Sequence, residues 1–471
     1  MTADTTFTGD PGRSLLLTDL YELNMMQAYL EAGMTEPAVF EFFVRKLPAD
    51  RGFLMAAGLE QAVAFLETAR FRPEELDWLK QSGRFSRDFI DYLATFRFSG
   101  DLHAMAEGTI FFPDEPILRV TAPLPEAQLF ESRLINLLHF QSLIASKAAR
   151  MVLAAPGKTL VDFGLRRAHG AEAGLLAARA AYLAGFDASA TTLAAPLFGL
   201  PISGTMAHSF IQAHDDEESA FEDFARSRPE AVILLLDTYD TEAAAEKVVA
   251  LAPRLQRLGI PIRGVRLDSG DLAEHARRVR SILDRGGLQD VQIFASGGID
   301  ERILQSYVAA EAPIDGYGIG TSLTTSQDAP ALDCAYKLQE YAGRAKRKRS
   351  EGKATWPGRK QAYRRADAKG IMAGDLLTLE DDADSDDAGR DDGEWGEALI
   401  TPVMRDGRRL PDLPSLEQSR DHAASELARL PAALRTLKPG SVYPVTVSQR
   451  LRSLAAAVDR EVAGEASVQP A

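Results

Sequence analysis

The sequence predicts an α/β protein whose central part is an irregular (β/α) barrel of about seven strands. From about residue 157, short apolar runs alternate with helical patterns, and the last four runs begin roughly 24 to 30 residues apart. That alternation indicates parallel strands joined by helical crossovers. An open, doubly wound sheet is the alternative that fits the same alternation.

The central strands are assigned to five apolar runs, at 159–163, 232–236, 262–267, 291–295 and 314–319. Less regular strands near 186–191 and 201–205 complete the set. Helical patterns lie between the later runs, for example at 241–258 and 271–285. We therefore place the barrel in residues 151–340.

Residues 1–150 are predicted to form an α+β domain. A first helix is expected to begin at Thr18, whose hydroxyl can cap it, with Asp19 in the first turn and Gly33 at its end. The elements expected after it are a strand at 38–44, a helix at 59–66, short strands within 99–125 and a long helix at 126–153.

Residues 341–471 begin with two charged runs, a basic one at 344–360 and an acidic one at 380–397. Both are predicted to be solvated loops. A helical segment near 415–429 and a strand-like run at 443–447 predict that the tail packs back on the body of the protein.

Composition excludes several classes of function. The net charge of −15 argues against sequence-independent binding of nucleic acid. Cys334 is the only cysteine, so no intrachain disulfide and no thiolate zinc cage is possible. Met1 to Ser14 lacks the apolar core of a signal peptide, and the uncharged stretch at 188–214 is interrupted by Pro and Gly, which disfavours a membrane span. We expect a cytoplasmic protein.

Reactive groups of βα folds gather where strands end, so the residues after each strand are the candidates. Arg166 and Arg167 suit a carboxylate or phosphate, although a surface ion pair explains them equally well. His208 could act as a base or accept a phosphoryl group, although a lone His is more often structural. Asp237 could hold Mg²⁺ or ribose hydroxyls, and Arg266 shares a strand face with Asp268.

Two glycine-rich turns follow the last two central strands, at 295–300 and 318–322. Backbone N–H groups in such turns cradle phosphate. The candidate phosphate ligands are Ser296, Gly297, Gly298, Gly318, Gly320 and Thr321. Together with the acids and arginines they indicate an enzyme acting on a sugar phosphate, provided that the turns lie beside His208 and Arg266.

Ordered motifs along nearly the whole chain resemble those of the nicotinate phosphoribosyltransferase family. They are TDLY at 18–21, FEFFVR at 40–45, FGLRR at 163–167, GTMAHS at 204–209, RLDSGDL at 266–272, GIGTS at 318–322, SEGK at 350–353, PGRKQ at 357–361 and LPSL at 413–416. The resemblance implies a β-rich domain built from both chain ends, packed on an irregular seven-stranded α/β barrel, and a homodimer with the active site at the interface.

The resemblance also implies the reaction: nicotinate and phosphoribosyl pyrophosphate give nicotinate mononucleotide and pyrophosphate, coupled to ATP hydrolysis and dependent on Mg²⁺. His208 would be the phosphohistidine, with Asp237 and Asp268 facing the ribose or its Mg²⁺. The residues implied to contact nicotinate are Tyr21 (from the partner subunit), Phe163, Arg166, Thr205 and Arg266. The glycine turns would hold the 5′-phosphate.

The chain departs from the family pattern at 188–191, where ASAT replaces the common GTSN, and it lacks the metal-binding cysteines of some members, so no zinc is expected. The nearest rival function is phosphoribosyl transfer to nicotinamide, which would gain from an acidic partner near the ring. A barrel lyase or isomerase acting on a sugar phosphate would need a Lys or a general base at a strand end. A catalytically silent relative with a binding role is the third alternative.

Overall fold

The computed structural model describes residues 10–384 and 396–466. The chain divides into two compact units, one formed by residues 1–143 and 331–471 and the other by Ile144–Pro330. Most of the predicted acidic loop, residues 385–395, lies outside the described residues, as do the first nine residues.

The α-helices of the described residues account for most of the predicted helical segments. In chain order they are α1 (Leu20–Glu31), α2 (Leu59–Glu67), α3 (Pro73–Ser82), α4 (Arg87–Thr95), α5 (Leu124–Leu129), α6 (Glu131–Ala154), α7 (Ala171–Leu183), α8 (Ala194–Phe198), α9 (His208–Gln212), α10 (Glu217–Ser227), α11 (Thr241–Arg257), α12 (Leu272–Arg285), α13 (Glu301–Ala309), α14 (Thr321–Thr324), α15 (Leu416–Arg429) and α16 (Gln449–Ala466). None of these helices has the length and apolar character needed to cross a membrane.

The strands of the described residues form four sheets. In chain order they are β1 (Pro37–Val44), β2 (Leu54–Met55), β3 (Asp101–Ala104), β4 (Ile110–Phe111), β5 (Leu118–Pro123), β6 (Thr159–Asp162), β7 (Ala188–Ser189), β8 (Val232–Leu235), β9 (Ile262–Leu267), β10 (Gln292–Ser296), β11 (Gly316–Ile319), β12 (Cys334–Tyr341), β13 (Arg344–Ala345), β14 (Lys360–Ala366), β15 (Met372–Leu379), β16 (Glu397–Ala398), β17 (Thr401–Arg405), β18 (Arg408–Arg409) and β19 (Val445–Val447).

The unit built from both chain ends is rich in β structure. Its largest sheet has seven antiparallel strands in the order β13-β12-β1-β5-β3-β17-β18. Its four-stranded sheet has the order β16-β14-β15-β19, and β2 pairs with β4. β17, from the tail, pairs with β3 and places Met404 opposite Leu102.

The unit Ile144–Pro330 contains a parallel sheet of six strands in the order β7-β6-β11-β10-β9-β8. The strand predicted over 201–205 is wrong, because only Ile202 forms an isolated bridge, opposite Ser189. Beyond that bridge the chain turns to Arg266, whose guanidinium holds the Thr205 hydroxyl. The described sheet thus has six strands where about seven were expected.

Two predicted helices also differ in detail. Asp19, not Thr18, occupies the N-cap of α1, because its extended backbone (φ −75°, ψ 140°) lets the first turn begin at Leu20. The helix predicted over 126–153 is divided into α5 and α6 at Phe130, which is buried against three other phenylalanine rings.

The prediction that 344–360 is a solvated loop is wrong where the run begins and ends, at β13 and at the buried Lys360, whereas residues 348–354 between them are exposed. Arg347 and Arg349 both form ion pairs with Asp459 of α16, at 3.4 and 3.2 Å. Lys360 is buried, and its ammonium lies 2.7 Å from the buried Glu41 carboxylate. Two of the motifs noted above, at 40–45 and 357–361, therefore meet in a structural ion pair.

Candidate active site

The carboxyl ends of the six parallel strands lie along one edge of the sheet, and three of the loops that follow them start a helix in the same way. Asp240, Asp271 and Asp300 cap α11, α12 and α13, and each side chain accepts a backbone hydrogen bond of 2.8 to 3.1 Å from the residue three positions later. These three carboxylates are engaged in starting helices. The carboxylates at the strand ends themselves, Asp237 and Asp268, have a different environment.

Asp237 and Asp268 lie side by side. Asp237 Oδ2 accepts hydrogen bonds from the Asp268 amide at 3.2 Å and from the Ser269 hydroxyl at 2.5 Å. Asp237 Oδ1 is buried and has no hydrogen-bond partner within the described part of the chain. Asp268 Oδ1 accepts a short hydrogen bond from the Ser296 hydroxyl. The pair is thus held in place while one buried carboxylate oxygen stays unsatisfied.

His208 begins α9 and faces this acidic pair. Its Nδ1 lies 3.2 Å from Thr238 Oγ1, and its Nε2 lies 3.7 Å from Asp268 Oδ2. In the tautomer whose Nδ1–H donates to Thr238, Nε2 carries the lone pair. Because 37% of the side chain is exposed, that nitrogen is accessible to a ligand.

Arg266 supplies a fixed cation next to the same groups. Its Nη1 donates to Thr205 Oγ1 at 2.6 Å and its Nη2 donates to the Met206 carbonyl at 3.0 Å, whereas its Nε is buried without a partner among the described residues. Burial lowers the pKa of Arg266, an effect that Asp268 and Asp237 oppose and Arg166 reinforces. Arg166 therefore lies within electrostatic reach of Arg266.

Glycines allow the neighbouring loops to approach closely. A Cβ at Gly297, where φ is +100°, would lie 2.2 Å from the Asp268 carbonyl oxygen, so only glycine fits there. Gly298 follows with φ of +66°, and the two residues form an exposed turn. A Cβ at Gly318 would lie 2.4 Å from the Phe163 ring, so this glycine, inside β11, makes room for the ring.

Gly320 and Thr321 form the second turn, which starts α14. A Cβ at Gly320 would lie 3.2 Å from the Phe163 carbonyl oxygen, so this turn packs against the end of β6. The first N–H groups of a helix have no partners inside the helix and suit an anion. Both glycine turns therefore present backbone at the edge of the sheet that holds Asp268 and Phe163.

The unusual loop at 188–191 is anchored by a buried carboxylate. The Ser189 hydroxyl donates to Asp162 Oδ2 at 2.7 Å and accepts from the Thr191 amide at 3.0 Å, while Asp162 Oδ1 accepts from the Gly164 amide at 2.8 Å. Burial raises the pKa of Asp162, and these hydrogen bonds oppose the shift. Asp162 thus ties the ASAT loop to the loop that carries Phe163.

Most of the predicted site residues thus occur together. Direct contacts connect His208, Asp237, Asp268, Ser296 and Gly297. Arg266 bonds Thr205 and lies within electrostatic reach of Asp237 and Asp268. Phe163 packs on Gly318 and Gly320 at neighbouring strand ends. Tyr21 belongs to the other unit, near the start of α1, where burial and a hydrogen bond with Glu22 raise its pKa and 43% of the residue is exposed.

Asp162, Ser189, Thr238 and Ser269 were not among the site residues predicted from the sequence. For Thr238 and Ser269 a signal was available, because each directly follows a predicted site aspartate. Asp162 also carried one, as an acid inside an apolar run directly before Phe163.

The carboxylates of Asp237 and Asp268 suit a hard cation such as Mg²⁺ only if oxygens of a bound ligand complete its coordination. No cluster of three or more His, Cys, Asp or Glu side chains that could hold a metal occurs within residues 10–384 and 396–466. Asp237 and Asp268 do offer two adjacent carboxylates, one of them with an unsatisfied buried oxygen. Mg²⁺ is commonly bound by one or two carboxylates together with substrate phosphates, so these residues fit it.

Comparison with known proteins gives consistent matches along the chain. Three family models match: the nicotinate phosphoribosyltransferase N-terminal domain over residues 16–139, the nicotinate phosphoribosyltransferase family over 158–360 and the corresponding C-terminal domain over 394–455. A nicotinate phosphoribosyltransferase of Mycobacterium tuberculosis is 48% identical over 443 residues, covering 93% of this chain and 92% of its own. One from Bacillus subtilis is 40% identical over 79% of this chain and 77% of its own.

Solved structures show the same architecture. The crystal structure of human nicotinic acid phosphoribosyltransferase matches with a TM-score of 0.83 and 30% identity, covering 94% of this chain and all of that one. A nicotinate-nucleotide pyrophosphorylase from Pyrococcus furiosus matches with a TM-score of 0.72 and 25% identity, covering 90% and 98%.

Proposed function

The chain belongs to the nicotinate phosphoribosyltransferase family, and from that premise we propose how the strand-end residues perform the reaction. The activity is transfer of a phosphoribosyl group from phosphoribosyl pyrophosphate to nicotinate, giving nicotinate mononucleotide and pyrophosphate for the salvage of NAD. One observation carries the assignment of roles: the Asp237–Asp268 pair contacts His208, Ser296 and Gly297, and Arg266, two residues before Asp268 in the chain, lies within electrostatic reach of both carboxylates.

Nicotinate binds through its carboxylate and its ring. The guanidiniums of Arg266 and Arg166 face the carboxylate, and the unpartnered Arg266 Nε supplies a donor that no group of the described chain satisfies. The Thr205 hydroxyl, already bonded to Arg266, fixes the orientation of that guanidinium. Phe163 contributes a flat apolar surface for the pyridine ring.

Transfer forms one bond and breaks one. The lone pair of the pyridine nitrogen forms the bond to ribose C1′, and the C1′–O bond breaks with its electrons leaving on pyrophosphate. Positive charge develops on the sugar meanwhile, and Asp237 and Asp268 stabilise it because they are already oriented. The backbone of the two glycine turns holds the 5′-phosphate and so fixes the distance between sugar and ring.

Asp237 and Asp268 would also hold Mg²⁺ together with substrate oxygens. When bound, the ion neutralises charge on the pyrophosphate leaving group.

ATP is the proposed co-substrate, and His208 is its phosphoryl acceptor. Nε2 takes the phosphoryl group as the bond to ADP breaks, while Thr238 holds Nδ1. The added phosphate carries roughly −1.5 to −2 charges beside Asp268. Repulsion between the two would reshape the acidic pair and so couple ATP hydrolysis to product formation.

Replacing His208 tests the ATP step. The His208→Ala variant should form no phosphoenzyme and lose stimulation by ATP, while transfer without ATP persists. His214→Ala is the matched control, because His214 lies just after α9 and bonds the Phe210 carbonyl at 2.7 Å instead of the site. Unchanged ATP coupling in His208→Ala would refute the assignment.

The same residues distinguish nicotinate transfer from the rival reactions. Loop 188–191 offers no acid for an amide, whereas two guanidiniums favour a carboxylate, so nicotinate is preferred over nicotinamide. No lysine directly follows any of the six described parallel strands, which disfavours a Schiff-base lyase.

We further propose that the protein is a cytoplasmic homodimer in which Tyr21 of one subunit closes over the pyridine ring bound by the other. We also propose that further strands complete an irregular barrel beyond the six described strands.

A further inference from the structure

A buried charge cluster lies behind the two glycine turns, among residues that the reaction does not use. Lys147 and Arg150 lie one turn apart on α6, within the unit Ile144–Pro330. The Lys147 ammonium is 2.6 Å from Glu301 Oε2 and 2.7 Å from Asp328 Oδ1. Arg150 Nη2 lies 3.2 Å from Glu301 Oε1.

The two carboxylates bonded by Lys147 belong to different segments of the chain. Glu301 is the first residue of α13 and directly follows the turn that contains Gly297 and Gly298. Asp328 follows α14, the short helix that begins at Thr321 after Gly320. One ammonium therefore connects the segment after the first glycine turn to the segment after the second.

We propose that Lys147 is a positioning residue for the two phosphate-binding turns, acting through Glu301 and Asp328. The inference rests on the proposed function, since it concerns the same 5′-phosphate site. A second bond connects the turns directly, because the Ser322 hydroxyl donates a short hydrogen bond to the Ile299 carbonyl. Two independent contacts thus set the spacing between the turns.

Burial makes this connection rigid. Lys147 and Glu301 are each only 2% exposed, whereas Asp328 is 26% exposed. Burial opposes ionisation of Glu301, but Lys147 and then Arg150 outweigh it, so the pKa of Glu301 is lowered and the carboxylate stays charged. Removing a buried partner costs more than removing an exposed one, so the turns are held most firmly from the side of Glu301.

The Lys147→Met variant tests the proposal in the full-length enzyme. Glu301 keeps Arg150 in this variant. Because a shift of about 1 Å in a positioned group can cost up to about 100-fold in rate, we expect the KM for phosphoribosyl pyrophosphate to rise about ten-fold or more. The KM for nicotinate should stay unchanged, and protection by inorganic phosphate against thermal unfolding should weaken.

Lys158→Met is the matched control. Lys158 belongs to the same unit but precedes β6, at the opposite end of the sheet, where it bonds the Ile314 carbonyl. If Lys147→Met does not fold, Asp328→Asn asks the same question, because it removes the charge of one Lys147 partner at a position that is 26% exposed, with a smaller rise in the same KM.

The outcomes separate the two claims. Equal KM values for phosphoribosyl pyrophosphate in the wild type and in whichever variant folds would overturn the positioning role while leaving the proposed function intact. A wild-type enzyme that neither turns over nor binds phosphoribosyl pyrophosphate would overturn the function itself.

Discussion

Each unit contains a cluster of charged side chains, and the two clusters differ in how their polar atoms are satisfied. In the β-rich unit, Arg364 binds Asp375 through two hydrogen bonds of 3.1 and 2.7 Å and Glu426 through a third of 2.8 Å, and the Tyr443 hydroxyl donates to Asp375. We call these four residues the closed cluster. Its three charged side chains are 2% exposed or less.

The strand-end cluster of Arg266, Asp237, Asp268 and His208 is open by contrast. It leaves Asp237 Oδ1 and Arg266 Nε without partners among the described residues, and about a third of the His208 and Asp268 side chains is exposed. An unsatisfied buried polar atom costs stability. The difference indicates that the closed cluster maintains the fold, whereas the open cluster keeps polar atoms available for substrate.

Breaking the closed cluster should have the largest effect on folding. Arg364→Met leaves the Asp375 and Glu426 carboxylates buried without their main cation, so the free energy of unfolding should fall by about 3–5 kcal/mol. Urea unfolding measures it, with Arg365→Met, at an exposed neighbouring position, as control. A loss below about 1 kcal/mol, the range of surface pairs, would contradict the distinction between the clusters.

Breaking the open cluster should instead abolish most activity at nearly constant stability. Asp268→Asn removes the charge that faces the developing positive charge on the sugar, so kcat/KM should fall by about 10²–10³-fold. The control is Asp271→Asn, three residues later, because asparagine also caps a helix. Equal activities of the two variants would show that Asp268 does not touch the reacting atoms.

Glu22 extends the comparison to a buried acid that has no cation beside it among the described residues. The side chain is fully buried, and its neighbours are mostly neutral or acidic. Burial raises its pKa from 4.5 to about 7, although hydrogen bonds with Gln128 and Tyr21 oppose the shift. The unfolded chain therefore releases this proton at lower pH than the folded chain does. Stability should decrease as pH rises from 4.5 to about 7, by at most about 3 kcal/mol.

The Glu22→Gln variant measures that contribution. Because glutamine cannot ionise, the free energy of unfolding should decrease less, as pH rises across this window, than it does in the wild type. Urea unfolding at pH 5 and pH 7.5 gives both slopes. Parallel profiles for the two proteins would show that Glu22 is not held protonated by burial.

The smallest expected effect concerns the geometry of one cation. Arg266→Lys keeps the charge but loses the planar set of donors, so the KM for nicotinate should rise roughly ten-fold, equivalent to about 1.4 kcal/mol. Arg263→Lys, an exposed position on the same strand, is the control. If both variants kept the wild-type KM, the nicotinate carboxylate would not lie at Arg266.

The sequence predicted the strand-end groups well because parallel strands place their carboxyl ends at one edge. That geometry brings Asp237, Asp268 and Gly297 together, and it does not depend on the exact bounds of the helices that connect the strands. Gly318 illustrates the limit, since a glycine pattern cannot reveal that the missing side chain makes room for the Phe163 ring.

Contacts between residues far apart in the chain were not predictable from local pattern. Lys360 looked like part of a solvated basic run, yet it is buried against Glu41, 319 residues away. Lys147 resembled any polar residue of an amphipathic helix, and only the fold brings Glu301 and Asp328 to it. The strand expected over 201–205 was wrong because Arg266 holds that loop by a side-chain contact, which periodicity does not encode.

The most direct test is release of pyrophosphate from phosphoribosyl pyrophosphate by the wild-type enzyme, measured with nicotinate or nicotinamide, each with and without ATP. Two guanidiniums and no nearby acid on loop 188–191 predict rapid release with nicotinate, stimulated by ATP, and little with nicotinamide. Equal release with the two pyridines, or preference for the amide, would contradict the account.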